Sequence, residues 1–379
     1  MKATGNTVAE QAIEAAIWAP SVHNTQPWRF GVEDGLIALR ADADRRITVA
    51  DPDGREMLIS CGAALYTLRV ALRHLGHEPD VRLLPDPDRP HLLALVRIGP
   101  PTEPKDARSE TDAAGAETAG AREEAEAGSY ETDGGFYETD GESGHDRDRM
   151  YEEIFRRRTH RGAFHPDPVA APVLAALRWD AEAEGARIVL AAESHVKAAL
   201  AGLTQAADHL ERRTPAYLRE IARWAPRPGS TRRDGVHAAA YRRDDVRTEP
   251  HFPARDFARG QGWGIDDPAE PSGTVDDLLT GVVMLLVTGD DTPMDWLCAG
   301  QALQRILLRA GAMDDLSAAF HTQALEIPEL RAFIRDRFCS GAHPQILLRL
   351  GVPAGKRLTS VRRPARAVTR QESHGPGKP

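Results

Sequence analysis

The chain has 379 residues, 41% hydrophobic and 28% charged, with a net charge of −9. That length allows two domains or one large one, and the absence of any run of about 18 apolar residues argues against a transmembrane helix. Met1 to Gln11 lacks a basic-then-apolar leader, and the three widely spaced cysteines (Cys61, Cys298, Cys339) suit reduced thiols better than a disulfide framework or a zinc site, so a cytoplasmic location is expected.

Val8 to Trp18 reads as a short helix with Val8, Ala12, Ala15 and Ala16 on one face. A polar run follows, Ala19 to Phe30, with Ser21, His23, Asn24, Thr25 and Gln26 between Pro20 and Pro27. The prolines push Ala19 and Gln26 toward extended backbone, which makes this a shaped loop. Neutral amides and hydroxyls on a stiff loop suit a ligand rich in donors and acceptors. They equally suit a polar turn that caps its own backbone. Trp28–Val32 then alternates as a strand, Asp34-Gly35 is a hairpin turn, and Leu36–Leu39 is the return strand. Met57 to Leu75 is a largely apolar helix stopped by Gly76. Val81–Leu84 and Leu92–Ile98 are further strands.

Residues 101–149 break the pattern, with 15 Asp and Glu against 5 Lys and Arg. The remainder of the chain is close to neutral, which gives no case for a nucleic-acid partner. Too few apolar groups are present in 101–149 to offset the entropy of ordering, so a disordered linker is expected. It contains a near-duplication, Tyr130–Gly134 and Tyr137–Gly141, which fits either a tolerated insertion or a docking motif.

From Met150 a helix is expected to run into Arg156–Arg161. Further helices are expected over Val169–Glu184, from Ser194 to just before Pro226, over Met294–Ala312, and from Pro328 to Arg337. Strands are expected at Arg187–Ala191, Gly281–Thr288 and Gln345–Leu350. Residues 226–277 have little periodicity, and a loop of that length is often a lid. If the chain is extended at Arg157-Arg158-Thr159-His160-Arg161, then Arg157, Thr159 and Arg161 share a side. Two guanidinium groups around a hydroxyl make a phosphate pocket. A solvated basic helix end is the plainer alternative. No paired-histidine metal spacing, nucleophile elbow, activated thiol, Gly-rich phosphate loop or acid–base pair is visible. A phosphate pocket without a catalytic constellation suggests a borrowed cofactor.

The run A-P-S-V-H-N-T-Q-P-W-R-F resembles the A-P-S-x-x-N-x-Q-P-W-x-F signature of nitroreductase-like FMN flavoproteins, and R-R-T-H-R-G-A-F at Arg157–Phe164 resembles their R-x-S-x-R phosphate motif. Trp296 with Gly300–Leu303, and Pro344–Gly351, resemble the Acg-type branch. The resemblance implies an α+β fold with an antiparallel-dominated sheet between helical layers, built as two unequal halves in one chain.

In ordinary family members the phosphate motif comes first and two subunits share each flavin. Here the order is reversed and each motif occurs once, which implies an intrachain pseudo-dimer with one FMN site. Its parts would be an N-terminal half over 1–100, the linker over 101–149, a C-terminal half over 150–366 with its lid at 226–277, and a flexible tail over 367–379. Arg157, Thr159 and Arg161 would hold the phosphate and ribityl end. Pro20, Ser21, Asn24 and Gln26 would reach the ring or ribityl chain, Phe320 and His321 would bring backbone to the ring, and Arg362 and Arg363 would return to the phosphate.

The implied activity is transfer of hydride from NAD(P)H through FMN to a small-molecule acceptor such as a nitroaromatic or quinone. The implied alternative is FMN storage under a closed lid. A monomer or homodimer, away from membrane and nucleic acid, is expected. Thr159 departs from the family's usual Ser but keeps the hydroxyl.

Overall fold

The computed structural model describes residues 2–101, 144–240, 248–257, 279–355 and 358–371. Most of the acidic linker expected at 101–149, parts of the expected lid, and the final residues lie outside that set. The chain opens with α1 (Lys2–Ala16), the strand β1 (Trp28–Glu33) and its return β2 (Leu36–Ala41). Asp34 (φ 45°) and Gly35 (φ 79°) both occupy the left-handed region, as a two-residue hairpin requires. Next come α2 (Arg55–His74), β3 (His77–Leu83) and β4 (Leu92–Pro101).

The second half starts at α3 (Gly144–Arg156), then α4 (Ala171–Glu182), β5 (Arg187–Leu190), α5 (Ser194–Arg212) and α6 (Pro215–Arg223). It continues through β6 (Val282–Thr288), α7 (Pro293–Asp314), β7 (Ser317–Phe320), α8 (Gln323–Glu326), α9 (Pro328–Phe338) and β8 (His343–Gly351), and ends on β9 (Thr369–Gln371).

Two sheets result. One is ordered β3-β4-β2-β1-β9, the other β5-β6-β8-β7. Every pairing is antiparallel except β1 with β9, where Phe30 sits opposite Thr369 and Val32 opposite Gln371. The antiparallel-dominated α+β architecture in two unequal halves is therefore present. No described helix is long and apolar enough to cross a membrane.

Between the sheets lie α2 and α7, one from each half. Every residue of α2 from Arg55 to Leu72 is buried, which explains its nearly unbroken apolar sequence. The helices cross at two glycines. A Cβ on Gly300 would lie 2.1 Å from the Ile59 carbonyl oxygen, and one on Gly62 would lie 2.2 Å from the Leu297 carbonyl oxygen. Only hydrogen fits at such a crossing. Polar side chains lock the same interface. Arg69 of α2 bonds Glu184 (2.6 Å) and Gln301 (2.8 Å), Gln304 bonds Thr67 (3.0 Å), and Arg305 bonds Asp180 (2.8 Å) and Glu184 (3.1 Å).

Several boundaries differ from expectation. The long helix expected from Ser194 is two helices, because Thr214 is extended (φ −97°, ψ 106°) and Pro215 starts a new first turn. The helix expected to run into Arg161 stops at Arg156, and Thr159 bridges to Ala318 in β7. The tail expected to be flexible from 367 instead supplies β9, which the first sheet binds at its edge. The short elements β7 and α8 carry too little periodicity to be read from sequence.

The glycine crossing yields a paired prediction. Gly300→Ala forces a methyl into backbone and should lower unfolding free energy by about 1–3 kcal/mol or more. Gly202→Ala, in α5 where a Cβ meets nothing within 4 Å, should be neutral or stabilising by up to about 1 kcal/mol. Urea denaturation of the two variants checks the contrast.

Candidate functional site

The polar run emerges from α1 and crosses to β1 as a strained turn. His23 (φ 46°), Asn24 (φ 53°) and Gln26 (φ 51°) all have left-handed backbone. Gln26 is thus not extended, despite the proline that follows it. Its backbone N–H donates to Ser21 Oγ (3.0 Å), its Oε1 accepts from Arg363 N (2.7 Å), and its Nε2 donates to the Arg233 carbonyl (2.9 Å). Such backbone costs of order 1–3 kcal/mol per residue and persists where surrounding contacts over-determine it.

Asn24 is bound as completely. Its Nδ2 donates to the carbonyls of Gly235 (2.9 Å) and Val361 (3.1 Å), and its Oδ1 accepts from Arg362 Nη1 (3.1 Å). The Gly235 N–H donates back to the Asn24 carbonyl (3.1 Å). Both amides, expected to face a ligand, here clamp the loop to residues 233–235 and 361–363. Ser21 is likewise turned into the loop, and Pro20 borders it half-buried.

The strap over this loop belongs to the expected lid. Asp234 pairs with Arg45 (2.9 Å) and Arg232 (2.9 Å), and these guanidinium groups hold its carboxyl below the usual range against the opposing effect of burial. Gly235 (φ 77°) sits where a Cβ would lie 2.6 Å from the Trp224 carbonyl oxygen.

Around the loop the arginines converge. Arg157 is buried and Arg362 half-buried, and the Nε of each has no hydrogen-bond partner. Arg362 donates to the Trp18 carbonyl (3.2 Å), while Arg158 lies over the Trp18 ring at 4.9 Å. Burial, with Arg158 beside it, lowers Arg157 to about 10, although Glu153 partly offsets this. Burial, then Arg157 and Arg158, push Arg362 well below its ordinary value. Like charges packed together in low dielectric, with N–H groups left over, match a phosphate-class anion.

Arg161 lies over the ring of Phe257 at 5.5 Å. Thr159 is half-buried beside β7, and Phe320 closes that strand opposite Leu348. His321 is committed elsewhere. Its Nε2 accepts from Arg349 Nε (2.8 Å), so its Nδ1 carries the proton and donates to the Pro253 carbonyl (3.2 Å). Its backbone N–H is bonded to the Leu347 carbonyl (2.9 Å). Burial and Arg349 hold it neutral. The expected approach of Phe320–His321 to a ligand is therefore replaced, at His321, by a support for the 252–257 segment. Burial also raises the thiols, Cys339 to about 11 and Cys298 to about 12, so neither supplies a thiolate at neutral pH.

Sequence reasoning missed His23, Arg158, Arg255 and Arg349. His23 and Arg158 stood inside the two motifs. Arg255 and Arg349 carry no sequence signal in a chain with 43 arginines. Arg255 is held by Glu326 and the Tyr217 hydroxyl, with Glu211 at 3.7 Å. Its flanking rings reach both sides of the site: Phe252 meets His321 at 5.1 Å and Phe257 meets His23 at 5.0 Å.

No family model matches the chain. A Mycobacterium tuberculosis protein provisionally named NAD(P)H nitroreductase Rv3131 is 33% identical over 341 residues, covering 89% of this chain and 82% of its own. A second protein from that organism, provisionally named NAD(P)H nitroreductase acg, is 42% identical over 93 residues, 24% of this chain and 28% of its own. A crystal structure of a Bacteroides fragilis nitroreductase with bound FMN aligns at TM-score 0.34 and 14% identity, over 59% of this chain and 98% of its own. So weak a structural likeness leaves the assignment to the sequence relatives. On the first of these, the chain belongs to the NAD(P)H nitroreductase family.

The carboxylates around Arg255 set a pH dependence. Burial and Glu326 raise Glu56 to about 8, and burial raises Glu211 to about 9. Both ordinarily titrate near 4.5. The folded state therefore keeps protons that the unfolded chain releases, and this stabilisation is lost as pH rises through about 8–9. The urea midpoint should fall between pH 6 and pH 9.5, and Glu211→Gln should flatten that fall.

Proposed function

We propose that the protein is an FMN-dependent NAD(P)H oxidoreductase that passes electrons to a nitroaromatic, quinone or similar small acceptor. The observation that carries this reading is the pair Arg157 and Arg362, whose unpaired Nε atoms and only partly offset charge fit the FMN phosphate. Membership of the NAD(P)H nitroreductase family supports NAD(P)H as the electron donor. When bound, FMN would relay hydride from NAD(P)H to the acceptor.

The chain's own residues bind and orient. Arg157 and Arg362 hold the phosphate, Arg158 adds charge beside them, and Thr159 and Arg161 extend the same rim. Arg157 follows α3 of the second half, while Asn24, which accepts from Arg362, belongs to the first half. This supports one site per chain at the junction of the halves, an intrachain pseudo-dimer.

Arg157→Ala or Arg362→Ala should weaken FMN binding by about tenfold or more, and Arg161→Ala by at least about fivefold. Titration by flavin fluorescence quenching tests this. Saturation should occur at one FMN per chain, and two would overturn the shared site.

A second reading, flavin storage, is favoured by the strap itself. The reciprocal bonds between Asn24 and Gly235, and the Asp234 pairs with Arg45 and Arg232, tie the 232–235 segment over the loop. Anaerobic NADH or NADPH separates the two readings. Bleaching of the yellow holoprotein, reversed by a nitro compound, supports the oxidoreductase; full occupancy without bleaching supports storage. In either case Asp234→Ala should speed FMN release, measured as fluorescence recovery on dilution.

A further inference from the structure

His23 is the least explained polar side chain of the loop. It is 93% buried, yet neither Nδ1 nor Nε2 has a hydrogen-bond partner. The next-but-one side chain, Thr25, is fully buried and its Oγ1 is also unpartnered. Burying such groups unpaired costs on the order of 1–3 kcal/mol each. The backbone adds to this, because His23 is left-handed at φ 46°. Packing alone would be served better by an apolar residue.

The surroundings narrow what the ring can do. The ring packs T-shaped against Phe257, and Arg161 lies over that same Phe257. Burial, then Arg255 and Arg161, keep the imidazole neutral. A neutral imidazole offers one N–H and one lone pair, so it cannot serve as a cation for phosphate. Asn24, the next residue, is the one that meets Arg362, so His23 lies one residue from the arginine cluster without being part of it.

We propose that His23 is a flavin-binding residue that hydrogen-bonds the uncharged polar part of the ligand, a ribityl hydroxyl or ring imide, while the arginines take the phosphate. This rests on the FMN reading above. The side chain is set for the role by strain and clamping: Asn24 and Gln26 fix the backbone on either side, and Phe257 fixes the ring.

Riboflavin lacks the phosphate and separates the two subsites. Affinities of the full chain, stripped of flavin, are compared for FMN and riboflavin by fluorescence quenching. His23→Gly suits the left-handed backbone and should weaken both ligands by the same factor, about tenfold. His23→Asn keeps a donor, an acceptor and the backbone preference, and should recover most of that loss. Arg157→Ala should weaken FMN alone.

Riboflavin should also shift the imidazole ¹⁵N resonances of the wild-type chain that disappear in His23→Asn, a readout independent of any variant's stability. The proposal is overturned if His23→Gly changes both affinities by less than twofold, if it weakens FMN but not riboflavin, if His23→Asn is as weak as His23→Gly, or if the ¹⁵N resonances do not move. Wild-type chain that binds neither flavin overturns the FMN reading and this inference with it, whereas flavin binding indifferent to His23 overturns the inference alone.

Discussion

The close crossing of α2 and α7 at Gly62 and Gly300 is the constraint on which the rest depends. A Cβ on either glycine would lie only 2.1–2.2 Å from a carbonyl oxygen of the opposite helix, so the two helices pack nearly main chain to main chain. That contact brings the loop before β1 to the extended segment after α3. Separate the helices by the width of a methyl group and the Thr67–Gln304 and Arg69–Gln301 bonds lengthen together. Arg157 and Arg362 would then gain water, and with it lose the low dielectric in which they pack.

The site loop is strained, and its strain is offset by remote partners. Three of its residues are left-handed, and their bonds run to positions 233–235 and 361–363, more than 200 residues away in sequence. The loop is thus a hub at which two distant segments meet. The same physics explains why Asn24 and Gln26 serve as clamps. An amide that completes all its bonds within the protein fixes geometry, and the groups left unsatisfied, on His23, Thr25, Arg157 and Arg362, are the ones with capacity for a ligand.

Much of the architecture was legible in the sequence. The hairpin at Asp34-Gly35, the buried α2 and the antiparallel strands follow from period and turn chemistry that local physics decides. Proline misled in two opposite ways. Pro27 was expected to extend Gln26, and tertiary bonds overrode it; Pro215 was passed over inside an amphipathic pattern, and there the local rule won. The motif residues Arg157 and Arg362 lie close together in the fold. The direction of each side chain was not legible, because Asn24, Gln26 and His321 are aimed by partners that only the fold supplies. Arg349 and Arg255 could not have been picked out among so many arginines.

The parallel pairing of β9 against β1 has a consequence for how the molecule is made. Residues 361–371 leave the ribosome after everything they bind. Until then the outer edge of β1 has no partner, with the Phe30 N–H lacking the Val368 carbonyl it will later donate to at 2.7 Å. The site loop meanwhile lacks Val361, Arg362 and Arg363. The first sheet and the loop before β1 are therefore completed together, by one segment that follows nearly all the rest in chain order, and β1 waits for it.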